Sequence, residues 1–330
     1  MPKPGLMKAL QFQPILKQTI WGGDKIAALK HLCHAPERVG ESWEIADFEG
    51  GTTLVAEGEH KGKTLSQLIG QEGAALLGQR NFERFGTSFP LLIKFLNPES
   101  ELSIQVHPDD ALAHTLGHPY GKNEMWYIVS ADPEAELFLG FNRPLSPASF
   151  VEAVNQGQLL SHLQTYRPEA GDTFFIPAGC IHSLGAGLVL VEVQQASDDT
   201  FRVYDYDRTD DQGNKRPLHL DMAQRALRYE PFPKAVTHPT ALREPAGQVV
   251  RNEWFTTVVH HLSAPQHIDC AHTDFFRIFV AFQGSAQFRY DEGECPLRAG
   301  QTILFPASTQ HIEICPEAEG FRALEIYIEA

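Results

Sequence analysis

A chain of 330 residues with 27 Lys and Arg against 42 Asp and Glu carries a net charge of −15, the opposite of the field that attracts a phosphate backbone, so nucleic acid is not an expected partner. With 42% hydrophobic residues, 26 Gly and 22 Pro it has material for a sizeable core and many turns, and at roughly twice the usual ~150-residue domain two cores are expected. No leader pattern and no apolar run near the ~20 residues that span a bilayer are present, and Cys33, Cys180, Cys270, Cys295 and Cys315 form no CxxC pair, so a reducing, cytoplasmic setting without membrane or disulfide framework is expected.

In chain order, apolar spacing predicts a helix over 64–79. Short β-branched or aromatic runs bounded by Gly, Pro or Asp predict strands at 89–96, 124–130, 136–141, 172–177 and 188–195. A second helix is expected over 146–163, with Ser146 as N-cap before Pro147, and a third over 218–229 after Pro217. The proline-rich stretch 231–248 has no period and marks the connection between two domains, divided near Pro245 into 1–244 and 245–330.

An internal repeat supports that division. GDTFFIPAGCIH (171–182) and GQTILFPASTQH (300–311) share the frame Gly-x5-Pro-x4-His, through Gly171, Pro177 and His182 in one copy and Gly300, Pro306 and His311 in the other. Each frame reads as a turn, a strand ended by proline, and a histidine pointing inward from the next strand. A mainly β protein of two jelly-roll sandwiches with a few inserted helices follows.

This frame is the second half of the cupin signature. Its first half is found in the N-terminal copy as Gln105-x-His107, then Glu124, separated by the loop 108–123. Imidazole, carboxylate and amide oxygen together suit zinc or another borderline divalent ion. In the C-terminal copy the matching positions are Cys270, His272, Arg277 and His311, and a cation at the carboxylate position predicts that this half holds no metal. A single histidine is more often a surface or hydrogen-bonded residue than a ligand, and His114, His118, His162 and His272 are read that way.

The strings LSIQVHPDD (102–110), GKNEMWY (121–127), GDTFFIPAGCIHSLG (171–185) and VEVQQASDDTFRVYDYDR (191–208), with TIWGG (19–23) and GESWEIAD (40–47), resemble the type I mannose-6-phosphate isomerase (phosphomannose isomerase) family, particularly its short bacterial form. The resemblance implies an aldose–ketose isomerase acting on a sugar phosphate, as monomer or homodimer, with one Zn²⁺ per chain in the N-terminal domain. It implies ligands at Gln105 (or a water in its place), His107, Glu124 and His182, an active-site arginine at Arg202, and a proton-moving acid at Glu192. Ser103 and Lys122 match residues near the phosphate or the reacting carbons. Longer members of the family carry a His before the lysine matched by Lys122; here that position is Gly121.

Such an isomerisation needs a base, a stabiliser for the enediolate and exclusion of water. Glu192 is the first candidate base and Lys122 the second, while Glu192 could alternatively orient a histidine ligand. Arg202 suits electrostatic stabilisation, its alternative being an ion pair with Asp199 or Asp205. Other classes left open are an iron-dependent cupin dioxygenase and a sugar-binding regulatory cupin.

Overall fold

The structure is a computed structural model in which residues 7–232, 236–237, 246–291 and 293–329 are described, 236–237 by backbone alone. The boundary near Pro245 lies outside the described residues, as does most of the 231–248 connection.

Two antiparallel sheets form the N-terminal sandwich. One runs, in spatial order, Val236–Thr237, Thr173–Ile176, Glu124–Ala131, Leu188–Gln195, Leu91–Leu96, Val39–Ile45 and Ile15–Gly23. The other runs Leu163–Tyr166, Leu137–Phe141, His182–Leu184, Ile104–Val106 and Phe201–Tyr204. Their facing side chains, among them Trp126, Ile128, Leu137, Leu139, Phe174, Ile176 and Leu190, make one buried core. Leu91–Leu96 and Leu188–Gln195 are buried along their whole length, which is why they read as mostly apolar runs, interrupted by Lys94 in one and by Glu192, Gln194 and Gln195 in the other, and not as alternating ones.

Their second face is covered by the C-terminal half. Phe89, Leu91, Ile93, Phe95, Met125, Tyr127, Val191 and Val193 share a core with Phe276, Ile278, Val280, Leu324 and Ile326. Chain crossing adds to this joint: Leu10–Gln13 pairs with the C-terminal strand Thr302–Phe305, placing Leu10 opposite Leu304.

The helix expected over 64–79 is divided into Leu65–Glu72 and Ala74–Leu77, with a further helix at Gln79–Phe85. The breaks fall at Gly73 and Gly78, whose φ of 53° and 92° is left-handed backbone that glycine supplies at least cost. The start is a capping box between Thr64 and Gln67. Ser146 caps Pro147–Asn155 as expected, but Gly157 (φ 68°) ends the run, and Leu159–His162 is a 3₁₀ turn. The third helix is Leu220–Ala226. Three short helices were not expected: Gln79–Phe85, Lys25–Leu29 and, inside the 108–123 loop, Asp110–Thr115.

Both repeat frames occupy the same register. Ile176 pairs with Glu124 in one half, and Phe305 pairs with Arg277 in the other. The inward histidine holds for His182, which is fully buried, and fails for His311, whose side chain is 62% exposed and lies 3.1 Å from Asp291. Ile312 and Ile314 take the inward positions of that strand, and period-two alternation then turns His311 outward.

Candidate active site

His107, Glu124 and His182 come together at the mouths of three strands, and their ligand atoms lie within 4.8 Å of one another. His107 follows Ile104–Val106, Glu124 opens its strand beside Ile176, and His182 opens the next strand opposite Gln105. His107 Nδ1 donates to the Asp199 carbonyl at 2.7 Å and His182 Nδ1 to the Cys180 carbonyl at 2.9 Å. A carbonyl only accepts, so each Nδ1 carries the proton and each Nε2 presents a lone pair. Both Nε2 atoms lie 3.4 Å from Glu124 oxygens.

Burial first, and then the charge of Lys122, lowers His107 to about 3 and also lowers His182, so both imidazoles are neutral. Burial works to raise Glu124, but its carboxyl is held below the ordinary value, with the charge of Lys122, 3.4 Å away, first among the influences that lower it, so it is ionised. His107 Nε2 and both Glu124 oxygens are buried without a hydrogen-bond partner. Unsatisfied buried acceptors cost about 1–3 kcal/mol each, and a divalent cation among them removes that cost. Two neutral imidazoles and an ionised carboxylate fit such an ion, and no other three-residue group of His, Cys, Asp or Glu with this geometry occurs among the described residues. Gln105 adjoins the triad: its amide nitrogen donates to His182 Nε2 at 3.3 Å and its oxygen accepts from Ser103 Oγ at 3.2 Å.

A cavity of ≈290 Å³ opens beside the triad, lined by Gln105, Lys122, Glu192, Ser103 and Arg202, and further by Trp21, Glu41, Lys94, Asp198, Thr200 and Arg216. All the sequence-predicted polar residues other than the triad therefore meet on one wall. Glu192 is buried, accepts from Trp126 Nε1 at 3.0 Å and lies 3.3 Å from Lys94. Its carboxyl is raised above the ordinary value, by burial and then by the charge of Glu124, against the opposing pull of Lys94 and Lys122. It touches neither histidine ligand through a hydrogen bond, because backbone carbonyls orient both rings.

Arg202 donates to Ser103 Oγ at 3.3 Å and to the Pro217 carbonyl at 3.0 Å. Neither expected ion pair forms: Asp199 is held by His118 at 2.5 Å, and Asp205 by Arg208 and Arg216. In the C-terminal copy Arg277 is likewise committed, pairing with buried Glu325.

Lys94, Glu41 and Arg216 escaped the sequence reading. Lys94 sits 3.3 Å from both Glu41 and Glu192, and its ammonium is raised by those carboxylates, although burial is the largest influence and acts to lower it. The available signal was a lone lysine inside the apolar run 89–96, since a buried charge requires partners.

The family model described as phosphomannose isomerase type I, catalytic domain, matches residues 9–127. The chain is 36% identical to mannose-6-phosphate isomerase ManA of Bacillus subtilis over 230 residues, 69% of this chain and 70% of that protein. It is 37% identical to a mannose-6-phosphate isomerase of Streptococcus mutans, over 66% of this chain and 67% of that one. The crystal structure of the mannose 6-phosphate isomerase from Bacillus subtilis superposes with a TM-score of 0.85 at 30% identity, covering 97% of this chain and 99% of that one. With the candidate metal triad and the cavity in the same half as the matched residues, these likenesses have one reading: the chain belongs to the type I phosphomannose isomerase family.

Proposed function

We propose that the protein interconverts D-mannose 6-phosphate and D-fructose 6-phosphate. The observation that carries this reading is the junction of a metal-competent triad with a cavity walled by a buried, raised carboxyl and an arginine that makes no ion pair among the described residues. In this reading Zn²⁺, one per chain in the N-terminal half, is held by His107, Glu124 and His182, with Gln105 or a water as fourth ligand. When bound there, zinc acts as a Lewis acid toward a substrate oxygen or orients the sugar.

Glu192 removes the C2 proton of the open-chain aldose and returns it to C1, while a proton moves from the C2 oxygen to the C1 oxygen. Its raised carboxyl favours both directions, because a base whose affinity approaches the working pH gives the proton back readily. Arg202 stays protonated and stabilises the enediolate oxygens, and Ser103 fixes its guanidinium. Lys122 neutralises Glu124 and contacts the substrate, and is the second candidate for proton transfer. Trp21, Leu96 and Leu102 supply the apolar part of a mostly polar lining. The division into a catalytic domain 1–244 and a packing domain 245–330, and a cytoplasmic location, belong to the same proposal; the five free cysteines support the latter.

Conversion of mannose 6-phosphate is measured for the wild type and Glu192→Gln. The wild type is expected to convert it, and the variant to lose on the order of 10²–10⁴ in kcat while keeping its metal. Equal turnover by the two would remove Glu192 from the reaction and bring Lys122 forward.

A further inference from the structure

Two guanidinium groups stand on the cavity wall, and the protein's own carboxylates leave both with charge to spare. Asp205, buried behind them, accepts from Arg216 Nε at 2.8 Å and Nη2 at 2.5 Å. The same carboxylate accepts from Arg208 Nη2 at 2.6 Å. One carboxylate shared by two guanidiniums leaves one positive charge over. Arg208 uses its remaining donors on the Asp205 and Glu101 carbonyls and does not line the cavity. Arg216 does line it, and its Nη1 has no hydrogen-bond partner among the described residues.

Arg202 lines the same cavity and makes no ion pair among the described residues, its hydrogen bonds going to Ser103 and the Pro217 carbonyl, while Asp205 acts on it only from behind. Its guanidinium is pulled below its ordinary value by burial first and by the positive charge of Arg216 second. Two like charges lining one cavity repel each other, and in a chain of net charge −15 they form a local reversal of sign. A phosphate monoester brings about −1.5 to −2 at neutral pH and three acceptor oxygens, which matches the excess. The planar guanidinium fork is the side chain best shaped to take them.

We propose that Arg216, aimed by Asp205, is the residue that reads the phosphoryl group of the substrate. This deepens the isomerase reading and rests on it: Arg202 then serves the sugar end of the same ligand, and unphosphorylated aldoses are disfavoured because they bring no charge to offset the positive excess that Arg208 and Arg216 share over Asp205. Arg216 contributes binding and takes no part in the proton transfer. Asp205 acts as a positioning residue, since its two hydrogen bonds take Nε and Nη2 of Arg216 and leave Nη1 as the donor for a ligand.

The test is steady-state kinetics of Arg216→Gln with mannose 6-phosphate, together with competition by inorganic phosphate and calorimetric binding of inorganic phosphate alone. The expected result is a KM for mannose 6-phosphate and an inhibition constant for phosphate that both rise about 10- to 100-fold, the scale of a lost charge-assisted contact, with kcat changed less than about threefold. Arg216→Lys, which keeps a cation beside Asp205, guards against misfolding and is expected to show a smaller rise in both constants. Unchanged phosphate affinity in either folded variant overturns the proposal, as does a fall in kcat with both constants unchanged. A wild type that binds phosphate without converting mannose 6-phosphate would sink the isomerase reading alone. Normal conversion with phosphate affinity indifferent to Arg216 would sink this proposal alone.

Discussion

Glu192 is the residue on which the proposed chemistry turns. Because its carboxyl is raised by burial and by Glu124, the active ionised form is lost as pH falls through a value above the ordinary 4.5. The acid limb of kcat/KM is therefore predicted to lie above that value, read from a pH–rate profile; a limb at or below it would contradict the assignment. Gly121 accounts for the family's missing histidine in steric terms. A Cβ there would lie 2.4 Å from the Asp109 carbonyl carbon and 2.5 Å from the Asp110 nitrogen, so this backbone has no room for a side chain. Gly121→Ala should cost about 1–3 kcal/mol in denaturant unfolding and lower turnover by shifting Lys122, whose backbone N–H is held by the Pro108 carbonyl. His107, Glu124 and His182 were legible because a turn, a strand and a proline fix the spacing between ligands. Arg216 was not, since it lies in a polar loop without period and acquires its role only where that loop folds back on Asp205.

At the scale of elements, the sequence showed which segments are strands better than it showed where helices end. Leu188–Gln195 is legible to the residue, because its β-branched and leucine-rich run LVLVEV follows the turn at Gly187 and is too short for a helix. The helix over 64–79 was read as one piece because its apolar spacing continues through Gly73 and Gly78. The second break has a tertiary cause: a Cβ on Gly78 would lie 2.1 Å from the Asp274 carbonyl oxygen, in the C-terminal half. That contact also supplies the missing cap. The Asp274 carboxylate accepts from Gln79 N at 2.7 Å and Arg80 N at 3.2 Å, doing for Gln79–Phe85 what its own Gly78 cannot. Asp274→Ala is predicted to lower stability by about 0.5–2 kcal/mol in chemical denaturation while leaving kcat unchanged. Loss of activity at full stability would show that this joint serves catalysis and not docking.

For the whole molecule, duplication is visible in the matched registers of Glu124 with Ile176 and Arg277 with Phe305, and divergence is visible in what those positions hold. Where the N-terminal copy gathers acceptors around a cation site, the C-terminal copy places the Arg277 guanidinium against Glu325, which also meets His260 at 2.9 Å. The second core is thus closed by an internal cation. Burial acts to raise Glu325, and His260 and Arg277 more than offset it, leaving its folded value below 4.5. The cluster's stabilisation is therefore present above the unfolded carboxyl value and lost as pH falls through the folded one. Arg277→Ala should cost about 3–5 kcal/mol at neutral pH, by stranding a buried carboxylate, and melting temperature would record it. The repeat frame made the two halves legible. The pairing of Leu10–Gln13 with the C-terminal sheet was not, because a four-residue strand carries too little pattern to reveal its partner.

In the proposed function the triad and the adjoining cavity form one metal-dependent isomerase site. The most direct measurement strips the purified protein with a chelator, returns zinc in steps, and follows mannose 6-phosphate conversion and bound metal on the same samples. Activity rising in proportion to metal and levelling at about one ion per chain, with neither binding nor turnover in His182→Ala, is the predicted result. Full conversion by the stripped protein, or a chain saturated with metal that leaves mannose 6-phosphate untouched, would contradict it.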